Sequence, residues 1–150
     1  VRLSFRPSLV PADYPFVHRV RTRFVETDAM GVIHHAAYVP YLEEARAALL
    51  EWLGHPYERV REEDGVDFGV LELSVQYRLP LRFGEEVDVG TVVGEMTRAT
   101  FQVAYLLSVD DEVRSTAVTV HGAVDRRGRA ARLPRWLADA PRRVELRGDS

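Results

Sequence analysis

The 150-residue sequence has no cysteine, no lysine and no asparagine, and Ile33 is its single isoleucine. The missing cysteine excludes disulfides, zinc fingers and thiol catalysis. The missing lysine leaves all 20 basic residues as arginine, a usage that fits a GC-rich genome. Against 23 acids they leave a net charge of -3, so nothing pulls the chain generally toward nucleic acid or an anionic membrane. No apolar run approaches the roughly 18 residues of a membrane span. The opening VRLSFRPSLVPADYP lacks the apolar core and small-residue cleavage site of a signal peptide, so the expected location is cytoplasmic. Repeats and low-complexity tracts are also missing. What remains is an ordinary globular balance, 46% hydrophobic and 29% charged. Its length suits one domain, which hides roughly 70% of the surface of its unfolded chain.

Residues 1–15 carry three prolines and little periodicity, and read as an irregular arm. FVHRVRTRFVE, 16–26, alternates: Phe16, His18, Val20, Thr22 and Phe24 share one face and the arginines take the other, which predicts a strand. AAYVPYLEEARAALLEWLG changes period. Tyr38, Leu42, Ala45, Leu49 and Trp52 recur at spacings of three and four, the pattern of an amphipathic helix. Pro40 fits its first turn, and Gly54 with Pro56 beyond it marks the stop. Four runs of period two follow. Leu71, Leu73, Val75, Tyr77 and Leu79 share a face in the first; Val87, Val89, Thr91 and Val93 in the second. Phe101, Val103, Tyr105 and Leu107 do so in the third, and Val118, Val120 and Val124 in the fourth. The links between them are short, so neighbours are expected antiparallel. LPRWLADA, 133–140, predicts a short terminal helix, and 141–150 a tail. The fold class is α+β: one strand, one long helix, then four strands, with the helix laid across a curled five-stranded sheet.

ETDAMGVIHHAAY, from Glu26 to Tyr38, gathers acids, a glycine, two histidines and a tyrosine between apolar stretches. Asp28 precedes a glycine and a helix start. The first N–H groups of a helix are unpaired and partly positive, so a carbonyl oxygen placed there is polarised. A nearby carboxylate could then attack the carbonyl carbon or activate a water, and Gly31 would let backbone and ligand approach closely. Asp28 could equally cap its own loop, since Asp is a common turn residue. The adjacent His34 and His35 do not have the spacing of familiar zinc motifs, so no metal is expected. His35 suits orienting a substrate or Asp28; His34 also suits a partly buried loop position. Of Glu43 and Glu44, one could face the pocket while the other is solvated, and Arg126, Arg127 and Arg129 read as a solvated turn. No phosphate-loop, dinucleotide or nucleophilic-serine motif occurs.

VRTRFVETDAMGVIHHAAYVPYLEEAR resembles the start of the 4-hydroxybenzoyl-CoA thioesterase family, whose members have the hotdog fold and include short-chain acyl-CoA thioesterases associated with the Tol-Pal system. VQYRLPLRFGEEVDV resembles its second landmark and VTVHGAVDRRGRAARLP a third. Together these motifs span roughly residues 17–137. The resemblance implies hydrolysis of acyl-CoA to acid and CoA, with no cofactor beyond the CoA of the substrate. It implies that Asp28 is nucleophile or general base, and that the backbone at His35 polarises the thioester carbonyl. Tyr38 matches a tyrosine beside the pocket; Gly31, His34 and Glu43 complete the candidate substrate-contacting set. Arg98 and Thr100, in MTRAT, match the segment that holds the CoA phosphates, although Thr97 and Ala99 stand where a relative has basic residues. Ala37 replaces a usual asparagine or serine. A homodimer is implied, extending to a homotetramer, with Arg98 and Thr100 serving an Asp28 on the neighbouring chain. The residues leave two other readings open: a hotdog hydratase or dehydratase using Asp28 with a histidine, and an acyl-CoA-binding domain without turnover.

Overall fold

The structure, a computed structural model, describes residues 7–140. Its strands are β1 (Phe16–Arg21), β2 (Val66–Tyr77), β3 (Glu86–Met96), β4 (Thr100–Val109) and β5 (Glu112–Asp125), in the sheet order β1-β3-β4-β5-β2. Every pairing is antiparallel. Helix α1 (Tyr38–Trp52) lies against one face of the sheet, and α2 (Tyr57–Arg59), a π turn and the short α3 (Arg135–Ala138) follow around it. The element order is the one that the periods predict, and the arrangement is the hotdog fold that the resemblance implies.

Helix α1 is closed at its C-terminus by a Schellman motif. Gly54 adopts φ +87°; its N–H donates to the Glu51 carbonyl, and the His55 N–H donates to that of Leu50, both at 2.9 Å. Leu42, Ala45, Leu49 and Leu50 pack from the helix onto Val87, Val89, Val103, Tyr105 and Leu107 of the sheet. Within that core runs a polar seam. Arg46, only 6% exposed, donates Nε–H to the Tyr57 hydroxyl at 2.9 Å and an Nη1 hydrogen to the Tyr105 hydroxyl at 3.3 Å. The Tyr105 hydroxyl meets that of Thr119, which meets Nε2 of His121. Burial pushes the His121 imidazole down to about 3, so it is neutral at ordinary pH.

Three sequence expectations are corrected. β1 ends at Arg21, not residue 26, because the Arg23 N–H donates to the Glu26 carboxylate at 2.7 Å and winds Phe24–Glu26 into a 3₁₀ turn. Phe24 is therefore 74% exposed rather than on the helix-facing side. β2 starts five residues earlier than its alternation suggests, and a bulge between Val70 and Glu72 throws Leu71 out of phase with Leu73, Val75 and Tyr77. Leu71 packs instead over Gly122, where an added Cβ would sit 3.1 Å from its Cδ1. In β5 the face that the valines share is not the one under the helix: Phe101 pairs with His121 and Tyr105 with Ala117, so Val118 and Val120 point away from the helix. They are buried nonetheless. A strand covered on both faces has no polar side to fix its phase. Part of that cover is the described end of the arm. Tyr14 joins Val92, Ala104 and Leu106 in a second small core, over a Gly90 that leaves no room for a Cβ.

Candidate active site

The segment after β1 closes into a tight loop. Thr27 bridges Ile33, Asp28 N–H donates to the Val32 carbonyl at 2.9 Å, and Gly31 takes φ +78° at the tip. Asp28 Oδ1 accepts from Met30 N–H at 2.8 Å and from Val32 N–H at 3.4 Å. Its other oxygen has no hydrogen-bond partner among the described residues. The two readings of Asp28 are thus compatible: one oxygen shapes the loop and the other stays available.

The second sequence landmark holds this loop in place. Val32 bridges Arg82, and Ile33 N–H donates to the Leu81 carbonyl at 2.8 Å. Leu81 N–H donates to the Tyr38 hydroxyl at 3.4 Å. Behind it, Arg114 donates to both oxygens of Glu85 and to the Pro80 carbonyl. YRLPLRFGEE accompanies ETDAMG because the two segments are hydrogen-bonded neighbours.

At the entrance to α1 the backbone donors can be followed one by one. His34 N–H donates to the Glu26 carbonyl at 2.7 Å. Ala36 N–H donates to Nδ1 of His34 at 3.1 Å, and Ala37 N–H to the His34 carbonyl. His35 N–H alone in this turn has no acceptor among the described residues. Its peptide is fixed by the Tyr77 hydroxyl, which donates to the His35 carbonyl at 2.8 Å. An unpaired N–H on a rigid turn at a helix N-terminus is the donor that a developing oxyanion requires.

The remaining candidates divide. Asp28, Gly31, His34 and His35 come together. His34 is an exposed cap rather than partly buried; its Nδ1 accepts from Ala36 N–H, and it stacks on His35 with centroids 4.2 Å apart. Tyr38 is a buried strut with its hydroxyl engaged and its ring edge-on to Tyr77. Glu43 is exposed on α1 with no hydrogen bond or ion pair among the described residues, whereas Glu44 meets His18 at 3.1 Å. Arg98 and Thr100 lie on the β3–β4 hairpin, and the Thr100 hydroxyl bonds that of Thr97 at 2.6 Å. The Asp28 loop is tied to the other end of β3, where Thr22 N–H donates to the Glu85 carbonyl. An 11-residue strand spans about 36 Å, so one chain does not bring Arg98 to its own Asp28.

Sequence reasoning gave two residues less than their due. Tyr77 stands in the sequence only as a member of a strand face, and Glu26 only as one of the acids gathered in ETDAMGVIHHAAY. Its carboxylate instead accepts from the Tyr41 hydroxyl at 2.6 Å and from Arg23 N–H at 2.7 Å. The arginine-x-x-glutamate spacing of 23–26 was the local signal for the second of these contacts. No group of three or more His, Asp or Glu among the described residues is arranged to hold a metal ion.

The fold and the loop can now be set beside known proteins. A protein of Thermus thermophilus with a solved structure is 40% identical, superposes with a TM-score of 0.77, and is matched over 83% of this chain and 98% of its own. A second, from Aquifex aeolicus, is 33% identical with a TM-score of 0.78, over 83% and 98%. The acyl-CoA thioesterase YbgC of Haemophilus influenzae is 30% identical over 113 residues, 75% of this chain and 83% of its own. The model of the thioesterase-like superfamily matches residues 22–140, a span that contains the Asp28 loop, the His35 turn and the landmark pinning them together. On that match, the chain belongs to the thioesterase-like superfamily.

Proposed function

We propose that the protein hydrolyses acyl-CoA thioesters, and that it does so with the Asp28 carboxylate and the His35 N–H. The observation that carries this reading is the pairing of an aspartate with one unengaged oxygen and a helix-entrance N–H with no acceptor, fixed to the same scaffold. The thioester oxygen accepts from His35 N–H and takes on charge as the carbonyl carbon is attacked, by Asp28 itself or by a water that Asp28 deprotonates. The carbon–sulfur bond then breaks, and the CoA thiolate leaves and is protonated. Water supplies the second oxygen of the acid product. Within the family, the motif ETDAMGVIHHAAY supports the short-chain branch associated with the Tol-Pal system. We place the reaction in the cytoplasm; among the described residues no helix is long and apolar enough to cross a membrane.

The minimal active unit is proposed to be a homodimer. Among the described residues β2 pairs only with β5, which leaves its outer edge open there, and Val70, Leu71, Leu73 and Tyr77 on it are exposed. Two β2 strands paired antiparallel about a two-fold axis would set the β3–β4 hairpin of one chain beside the Asp28 end of the other. Arg98 and Thr100 would then meet the CoA phosphates of a site they do not share within one chain. The hydratase alternative is disfavoured by His34, whose Nδ1 already accepts from Ala36.

The test is thiol release from a panel of short, medium, long and aromatic acyl-CoAs, with Asp28→Asn alongside. Hydrolysis by the wild type and a loss on the order of 100-fold or more in a folded Asp28→Asn variant are expected. No thiol release from any substrate would overturn the hydrolase reading, and a thermal shift by acyl-CoA without turnover would make the protein a binding domain.

A further inference from the structure

We infer that Glu26 and Tyr41 form a lock that positions the Asp28 loop against the helix entrance, making both residues determinants of turnover without contact to substrate. The inference rests on the hydrolase reading. Asp28 and the His35 N–H belong to different elements, one in the loop after β1 and one at the start of α1. Reaction requires their separation to be held, since misplacement by about 1 Å can cost on the order of 100-fold in rate.

Glu26 connects the two elements twice. Through its carbonyl it accepts His34 N–H at 2.7 Å, next to the catalytic N–H. Through its side chain, only 10% exposed, it accepts the Tyr41 hydroxyl from the first turn of α1 at 2.6 Å. The same carboxylate takes Arg23 N–H at 2.7 Å and the Arg23 guanidinium at 3.4 Å, which fixes where the chain leaves β1. Tyr41 is itself buried, 5% exposed, and within the core cluster. Only Thr27 separates Glu26 from Asp28, and its bridge to Ile33 closes the loop there. The loop therefore cannot rotate relative to α1 without breaking the Tyr41–Glu26 bond. A carboxylate with this many donors is held to geometry, and is not free to act as the base.

The lock separates from a chemical role for Glu26 by substitution. Tyr41→Phe keeps the ring in the core and removes one hydrogen bond. It is expected to lower kcat on the order of tenfold with KM little changed. Glu26→Ala is expected to do at least as much, and Glu26→Gln, whose amide oxygen still accepts from Tyr41 and Arg23, to recover most of that loss. Asp28→Asn with Tyr41→Phe is expected to be no slower than Asp28→Asn alone, because groups that act as a unit are not additive. Thermal midpoints of all variants show which are folded. A wild-type kcat in Tyr41→Phe overturns the lock and leaves the hydrolase reading standing. If Glu26→Gln is as inactive as Glu26→Ala, Glu26 acts chemically and the lock is also overturned. A wild type without turnover overturns both proposals together.

Discussion

Asp28 uses one carboxylate oxygen to build its own loop and leaves the other without a hydrogen-bond partner among the described residues. That division explains why the residue was visible in the sequence as both a turn former and a nucleophile. Glu85 is the contrasting acid, engaged wholly in structure. Partial burial alone would raise its pKa, but hydrogen bonds from Arg114 and from Arg82 N–H outweigh it and hold the group below its ordinary value. An acid depressed on folding adds stability above the unfolded pKa, here near 4.5, and that stability disappears as pH falls through the folded value. Glu85→Gln is therefore expected to cost about 2 kcal/mol at neutral pH. In melting curves the gap to wild type should close at pH values well below 4.5; a gap of constant size would show that the carboxylate charge is not what matters. At this scale the sequence showed the residues whose contacts are local. Glu26 and Arg46 escaped, because their decisive partners, Tyr41 and Tyr105, lie 15 and 59 positions away.

The elements were legible wherever one face was buried and the other wet. Helix α1 shows this: Tyr38, Leu42, Ala45 and Leu49 are buried as their spacing predicts, and Pro40 and Gly54 mark its ends, but Trp52, expected on the same face, is 49% exposed at the last turn. The stop can be tested directly. Nothing lies within 4 Å of a Cβ built on Gly54, so its φ of +87° is the whole constraint. Gly54→Ala is expected to destabilise by about 1 kcal/mol, read as a lower thermal midpoint with unchanged catalysis. Removal of a clash-free glycine without any loss would show that the last turn refolds around alanine. The strands were less legible for two physical reasons. A bulge at Leu71 shifts the phase of β2, and alternation alone gives no notice of an extra residue. β5 is covered on both sides, so its valines marked a face without saying which one meets the helix.

The two edges of the sheet differ in a way that bears on the proposed dimer. β1 guards its edge with charge: Arg19 pairs with Asp88 at 2.9 Å and Arg21 with Glu86 at 3.8 Å. Such side chains discourage strand addition. Among the described residues β2 has an ion pair only near its start, where Arg61 meets Asp67 at 3.0 Å, and beyond it exposes Val70, Leu71, Leu73 and Tyr77. Its inner end supplies the Tyr77 hydroxyl that fixes the His35 peptide, so pairing at this edge would steady the proposed oxyanion donor as well as bring Arg98 of the partner chain. The outer face of the sheet is less open to stacking than in a bare sheet. Tyr14 already occupies the surface over Gly90, Val92, Ala104 and Leu106, and its hydroxyl donates to the Ser8 carbonyl at 2.7 Å. Assembly should therefore stop at two chains. Light scattering is expected to give twice the chain mass of 17.0 kDa. Leu73→Arg, which puts a charge on the open edge, should yield folded monomers with strongly reduced thioesterase activity. A wild type of four chains would mean that the arm does not protect the outer face, and Tyr14→Ala would then leave the mass unchanged. An active Leu73→Arg monomer would mean that one chain completes the site alone, and that Arg98 has no part in it.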